Sequence, residues 1–215
     1  MITPVPGRKS AEHAQSQRTR ILDAAQKCFV ESGFHAATMA SIAETAEVSA
    51  GLIYRYFAGK DAIVLAIIER ELQVRRARIA SLQSPEELAA RLVETFRELR
   101  ANEPGIPNAA LYLEMSAEAT RAPKIAAAIR ESDRETRDAF RAWLARAPAE
   151  GGLGLAPKDA DEQALLMQLL VEGMAVRAAR EPGLATAKLR PALERFLEVT
   201  GLLGRCSAAR RGRPS

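Results

Sequence analysis

The stretch Thr38–Lys60, TMASIAETAEVSAGLIYRYFAGK, decides how the chain is read. Thr38 suits an N-cap. Met39, Ile42, Ala43 and Ala46 follow at the spacing of one buried helix face. Glu47–Val48–Ser49 breaks that pattern in a tight turn. Ser49 can cap a second short helix that runs to Phe57, and Ala58–Gly59 ends it. On this second helix Ile53 and Phe57 are four apart and share a buried face with Val48. Ser49, Ala50, Gly51, Leu52, Tyr54, Arg55 and Tyr56 are left wholly or partly outward. Two short helices across a tight turn form a helix-turn-helix, whose second helix enters the major groove of duplex DNA.

The outward residues have chemistry that fits this task. Ala50 and Gly51 are small enough for the backbone to approach base edges, and Ala50 and Leu52 can touch a thymine methyl group. Thr38 and Ser49 can present hydroxyls and first-turn amides to phosphate oxygens. Tyr54 and Tyr56 can donate phenolic hydrogen bonds to phosphate, Lys60 brings a charge, and Arg55 can bind a phosphate or a guanine. The competing reading is that both tyrosines pack the motif. Residues two apart on a helix cannot both face one core, so at least one is expected outside.

Upstream, Ile21, Leu22, Ala25, Cys28 and Phe29 form one apolar stripe in a helix expected from Gln17, and Gly33 suits a left-handed cap after it. Residues 1–15 carry Pro4, Pro6 and Gly7 without periodicity and read as a disordered basic arm. Arg18 and Arg20, near the start of the first helix, are placed for phosphate or minor-groove contact. Downstream, an amphipathic run from Lys60 to about Leu82 is followed by helices near 85–100, 108–119, 123–147, 158–179 and 187–203, divided by proline- or glycine-bearing loops. The expectation is an all-α chain of about nine helices. It divides into a basic arm (1–15), a three-helix DNA-binding domain with the helix-turn-helix (16–59), a larger helical ligand-binding and dimerisation domain (60–204) and a basic tail (205–215).

Composition narrows the function classes. Of 215 residues, 47% are hydrophobic, 27% charged and 5% aromatic, which suits a folded, helix-rich chain. No apolar run approaches the roughly 18 residues of a membrane span, and the N-terminal segment has no apolar signal core, so the expected location is the cytoplasm. His13, His35, Cys28 and Cys206 are too scattered for a zinc site, with Cys28 on the core stripe and Cys206 in the tail. No phosphate-cradling loop, dinucleotide fingerprint or nucleophile elbow occurs. No catalytic residue, metal or cofactor is therefore expected.

The net charge of +4 and the isoelectric point near 9.3 are unevenly distributed. Arg8, Lys9, Arg18 and Arg20 against Glu12 leave the first 20 residues at +3, and the four arginines of 205–215 add +4, so the chain between is mildly acidic. DNA affinity must then rest on a few placed groups, chiefly Arg18, Arg20, Arg55 and Lys60, rather than on a broad basic surface. Arg210–Pro214 is similar to the arginine-glycine-arginine-proline core of a minor-groove hook. A solvated basic tail is the simpler reading.

The residues Ile21-Leu22-Asp23-Ala24-Ala25, Phe29, Gly33-Phe34, Ala37-Thr38-Met39, Ile42-Ala43, Val48-Ser49, Gly51-Leu52-Ile53-Tyr54, Tyr56-Phe57, Lys60 and Ile63-Val64 resemble the TetR (tetracycline repressor) family of transcriptional regulators, with the spacing unbroken. Beyond Leu82 the resemblance is architectural. It implies an all-helical homodimer, a repressor in most members, released from a double-stranded operator by a small-molecule effector. By position, Thr38, Tyr54, Tyr56 and Lys60 would contact phosphates and Ala50, Gly51 and Leu52 would face bases. Two positions depart: Glu47 stands for a common turn glycine, and Leu52 for a frequent threonine.

One such reader buries too little surface for high specificity, so a dimer on an inverted repeat is expected, with recognition helices about 34 Å or more apart. The dimer surface is expected on the last two helices, from Leu165, Leu166, Leu169, Leu170, Met174, Leu193, Phe196, Leu197, Leu202 and Leu203, unless these pack only within the chain. Phe96, Tyr112, Met115, Trp143, Met167 and Met174 can line an effector pocket or simply fill the core. Glu118, like Glu114 and Glu172, sits in apolar sequence, where a carboxylate can meet a cationic or hydrogen-bonding ligand, or an arginine across a dimer. Rival classes are a helical small-molecule-binding or enzymatic domain without specific DNA binding, and an architectural DNA binder that bends many duplexes alike.

Overall fold

The computed structural model describes residues 8–101, 103 and 105–203, with side chains from residue 12 onward. The expectations for residues 1–7 and for the tail from 205, including Cys206 and Arg210–Pro214, lie outside the described residues. Among the described residues there are nine α-helices and no strand. They are α1 (Arg8–Ala36), α2 (Met39–Thr45), α3 (Ala50–Tyr56), α4 (Lys60–Ala80), α5 (Glu87–Ala101), α6 (Ala109–Ala119), α7 (Pro123–Ala145), α8 (Pro157–Arg180) and α9 (Thr186–Val199). A 3-10 turn, Pro148–Glu150, lies between α7 and α8. No helix among the described residues is long and apolar enough to cross a membrane.

Two local expectations change. α1 begins at Arg8, not near Gln17, so residues 8–15 are helical where an arm was expected. Periodicity sees only a helix with a buried face; this segment is rich in Ala, Glu, Gln, Arg and Lys, which favour helix without one. Gly33 does have positive φ (78°), but its ψ of 162° lies outside the left-handed helical region. It kinks α1 instead of capping it, and helical geometry resumes through Ala36. An added Cβ would sit no closer than 3.5 Å to its neighbour, so conformation and not space selects glycine here.

The described helices group into two compact units, Met1–Glu71 with Asn102–Ile129, and Leu72–Ala101 with Arg130–Ser215. The division falls inside α4 and α7. In the first unit α1 packs against α2 and α6, and α2 against α3. Its core joins Ile21, Leu22, Ala25 and Phe29 of α1 to Ile42 and Ala43, Ile53 and Phe57, Ile63 and Ile67, and Leu111 and Met115. Full burial of an Ile or Phe side chain stabilises by about 1.5–3 kcal/mol. That burial matters most for α2 and α3, which at seven residues each are too short to persist alone. Cys28 is a buried free thiol beside the Thr45 hydroxyl at 3.3 Å, as its place on the stripe predicts.

A buried glutamine ties two parts of this unit together. Gln26, 2% exposed, donates from Nε2 to the carbonyls of Ile106 (2.9 Å) and Glu103 (3.1 Å) and accepts from Arg70 (3.0 Å). Arg70 also holds Asp23 at 2.6 Å. One glutamine thus fastens the loop before α6 to α1.

In the second unit α5 packs against α8 and α9. α5 buries Leu88, Leu92, Val93, Phe96 and Leu99 on a stripe at helical spacing, α8 buries Ala160, Ala164, Met167, Met174, Ala175 and Ala178, and α9 buries Leu193 and Leu197. Arg100 stacks on Phe96 and donates to the carbonyls of Leu184 (2.8 Å) and Pro182, which ties down the α8–α9 connection.

Candidate nucleic-acid interface

The helix-turn-helix is built from its caps inward. Thr38 forms a capping box with Ser41: its hydroxyl oxygen accepts from the Ser41 amide (3.0 Å), and the Ser41 hydroxyl accepts from the Thr38 amide (2.9 Å). Ser49 caps α3 by accepting from the Leu52 amide at 3.2 Å. Each cap satisfies an amide that would otherwise be orphaned, and substitution of such residues by Ala typically costs about 0.5–2 kcal/mol. Between the helices the amide of Val48 returns to the Ala43 carbonyl (2.9 Å), closing the turn.

With α3 held this way, its two faces separate. Ile53 and Phe57 are buried in the core, and Val48 packs against it. Ser49, Ala50, Gly51, Tyr54 and Arg55 are exposed, and Leu52 is half-buried. The tyrosines divide as their spacing requires: Tyr54 is 57% exposed, whereas Tyr56 is half-buried against the core. A Cβ added at Gly51 would meet nothing within 4 Å. Internal packing therefore does not demand glycine at Gly51, and the missing side chain leaves room for another molecule's surface.

Three of the cations near this face are already engaged. The Lys60 ammonium donates to the carbonyls of Phe34 (2.8 Å) and His35 (3.3 Å) and lies 4.7 Å from the Phe34 ring centre. Three donors on an ammonium leave one for a phosphate. Arg18 sits over the Phe57 ring at 5.2 Å, and Arg20 reaches the Glu47 carboxylate at 2.8 Å. Arg55, in the last turn of α3, is exposed.

Sequence reasoning missed what holds the end of α1. Glu114 of α6 accepts from the Phe34 amide at 3.0 Å, and Glu118 meets both His35 and Arg121 at 3.3 Å. The Phe34–His35 segment is thus gripped at its carbonyls by Lys60 and at its amide and imidazole by α6. The apolar setting of the two glutamates was the available signal, but it says nothing of which partner a carboxylate finds.

The residues considered for an effector fall in both units. Phe96, Trp143, Met167 and Met174 are buried in the second, where Trp143 meets Phe140 edge-on at 5.4 Å. Tyr112, Met115 and Glu118 lie on α6 in the first, with Met115 in that unit's core. Asp133 in the second unit has its carboxyl pushed above the usual range by burial and by Glu172, against the pull of Arg75 and Arg137. Among the described residues no three or more His, Cys, Asp or Glu side chains gather as a metal site.

A capped helix pair with one anchored and one bare face, joined to a larger helical unit, defines a helix-turn-helix protein. Comparison with known proteins makes the class specific. Residues 21–67 match the model of bacterial regulatory proteins of the tetR family, and residues 85–201 match that of the BetI-type transcriptional repressor, C-terminal. The chain belongs to the TetR family of transcriptional regulators. It is similar to the HTH-type transcriptional regulator UidR of Escherichia coli K12, with 37% identity over 54% of this chain and 59% of the relative. The match therefore spans well under two thirds of that relative's length. Among solved structures, Salmonella enterica GusR superposes with a TM-score of 0.66 at 26% identity, covering 87% of this chain and 95% of that one. A regulator from Saccharomonospora viridis in complex with choline has a TM-score of 0.64 at 23% identity, covering 86% and 96%.

Proposed function

We propose that the chain is a homodimeric, ligand-responsive transcriptional regulator, a repressor that leaves an inverted-repeat operator when a small molecule binds, and that it works in the cytoplasm by binding and not by catalysis. The observation that carries this reading is α3, fixed by Ile53, Phe57 and the Ser49 cap, with Ala50, Gly51, Tyr54 and Arg55 bare on its outer face. Residues 16–59 are the DNA reader in this scheme. Ala50, Gly51 and Leu52 face bases, and Thr38, Tyr54, Tyr56 and Lys60 meet the backbone.

Dimerisation is assigned to α8 and α9. Leu165, Leu166 and Leu169 of α8 are exposed, with Leu169 at 56%, and Val199 of α9 at 73%. Met174, Leu193, Leu197 and Leu202 are buried within their own unit and supply the support beneath that surface. Residues 60–204 supply the effector site. The indole N–H of Trp143 is buried and finds no acceptor among the described residues, so an acceptor atom on a ligand would relieve the cost of leaving it unpaired. That a fold neighbour was solved with choline supports small-molecule binding by this architecture.

The effector acts by preferring the dimer geometry that cannot span the operator, since only differential affinity shifts an equilibrium. The grip of Lys60 on the end of α1 carries any tilt of α4 to the reader. A mobility-shift assay on the DNA upstream of the chain's own gene, with and without a fractionated metabolite pool, tests the scheme. A salt-sensitive shift released by one fraction, which also changes the emission of the single tryptophan, is expected. Unshifted DNA, or turnover of a metabolite without DNA binding, contradicts it.

A further inference from the structure

Glu47 is the one non-glycine residue with positive φ (49°) among the described residues, and it sits in the turn between α2 and α3. An L-residue pays a steric cost in that conformation, because its Cβ crowds the neighbouring carbonyl, whereas glycine does not. A residue held against its preference at a functional turn invites the question of what its side chain does. The Glu47 carboxylate stands 2.8 Å from Nη2 of Arg20, and the Glu47 carbonyl lies 3.5 Å from the same nitrogen. The guanidinium is thus drawn over the turn by both groups. The Glu47 side chain is 84% exposed and that of Arg20 44%, so the pair faces solvent.

We infer that Glu47 is a positioning residue that withholds Arg20 from the DNA backbone and so lowers sequence-independent binding. This rests on the DNA-binding reading above. Non-specific affinity comes from cations that neutralise phosphates and release counterions. A paired arginine contributes little to that total: a phosphate must first displace the carboxylate, and the displaced carboxylate then repels it. The pair is exposed and intrinsically weak, so it biases Arg20 without locking it. Because the chain apart from its ends is mildly acidic, its non-specific affinity depends on few cations, and removing one from the count is a large proportional change.

The test uses the full chain and its Glu47→Gln, Arg20→Ala and double variants on a labelled duplex of unrelated mixed sequence, with binding followed by anisotropy from about 50 to 200 mM salt. Glu47→Gln should tighten binding roughly five-fold and steepen the salt slope by about one unit per reader. In the Arg20→Ala background the same change should leave the slope where Arg20→Ala put it. Glu47→Gly, which relieves the backbone cost, should behave like Glu47→Gln and guards against a folding artefact. Equal slopes for wild type and Glu47→Gln overturn the proposal, as does a steepening that persists without Arg20. If no variant binds the duplex in a salt-dependent way, the DNA-binding reading falls and takes the proposal with it.

Discussion

α3 in the first unit and α8 in the second both present a face to solvent, but they reach that state by opposite routes. α3 is seven residues long and owes its existence to Ile53, Phe57 and the Ser49 cap, so its inner face is apolar and its outer face small, aromatic and basic. α8 is 24 residues long, is opened by Pro157 in its first turn, and leaves Leu165, Leu166 and Leu169 outside. A short helix must spend its apolar residues inward. A long one anchored along its whole length can leave some of them outside. The outer face of α3 therefore suits a polar, charged partner, and that of α8 another apolar surface.

The contrast can be broken by substitution. Ile53→Ala should cost about 2–5 kcal/mol, because it empties a fully buried site beneath a helix with little stability of its own. Urea unfolding measures this, and a loss near zero would mean that α3 is held otherwise. On the proposed dimer, Leu169→Lys should leave the fold intact but weaken self-association roughly 100-fold, through an unpaired charge in an apolar interface. Sedimentation equilibrium checks it, and an unchanged dimer would place the interface elsewhere.

A smaller effect sharpens the comparison inside the second unit. The carboxyl of Asp133 titrates above its ordinary value because burial and Glu172 disfavour the charge. The folded state therefore holds the proton more tightly than the unfolded chain, and stability contributed by this group falls as pH rises from about 3.8 through the raised value. Asp133→Asn should raise the melting temperature at neutral pH, and the gain should vanish below that window. A gain that is the same at all pH values would show that charge is not the cause.

The local geometry of the helix-turn-helix was legible in the sequence almost residue by residue. Caps, buried positions and the break at Glu47 are local, and each rests on spacing or turn chemistry within a few residues. The caps at Thr38 and Ser49, the buried pair Ile53 and Phe57, and the outward Tyr54 all follow from that. What the sequence could not show is contact at long range. Glu114 and Glu118 lie about 80 residues from the Phe34–His35 segment that they hold. Nothing in the spacing of α6 selects that partner over a ligand. Lys60 and Arg20 read as free cations for the same reason: the carbonyls and the carboxylate that engage them lie 25–27 residues away. The start of α1 was missed for a different cause, since a helix without a buried face leaves no periodicity to find.

The most direct test of the central claim, that the outer face of α3 reads DNA, is the affinity of Tyr54→Ala for an operator duplex, with thermal unfolding measured on the same sample. Tyr54 is exposed, so stability should change by less than about 0.5 kcal/mol. On the proposed reading, in which Tyr54 meets the DNA backbone once in each of two protomers, binding should weaken at least roughly ten-fold. Unchanged affinity in a stably folded variant would contradict the assignment of α3 as the recognition helix.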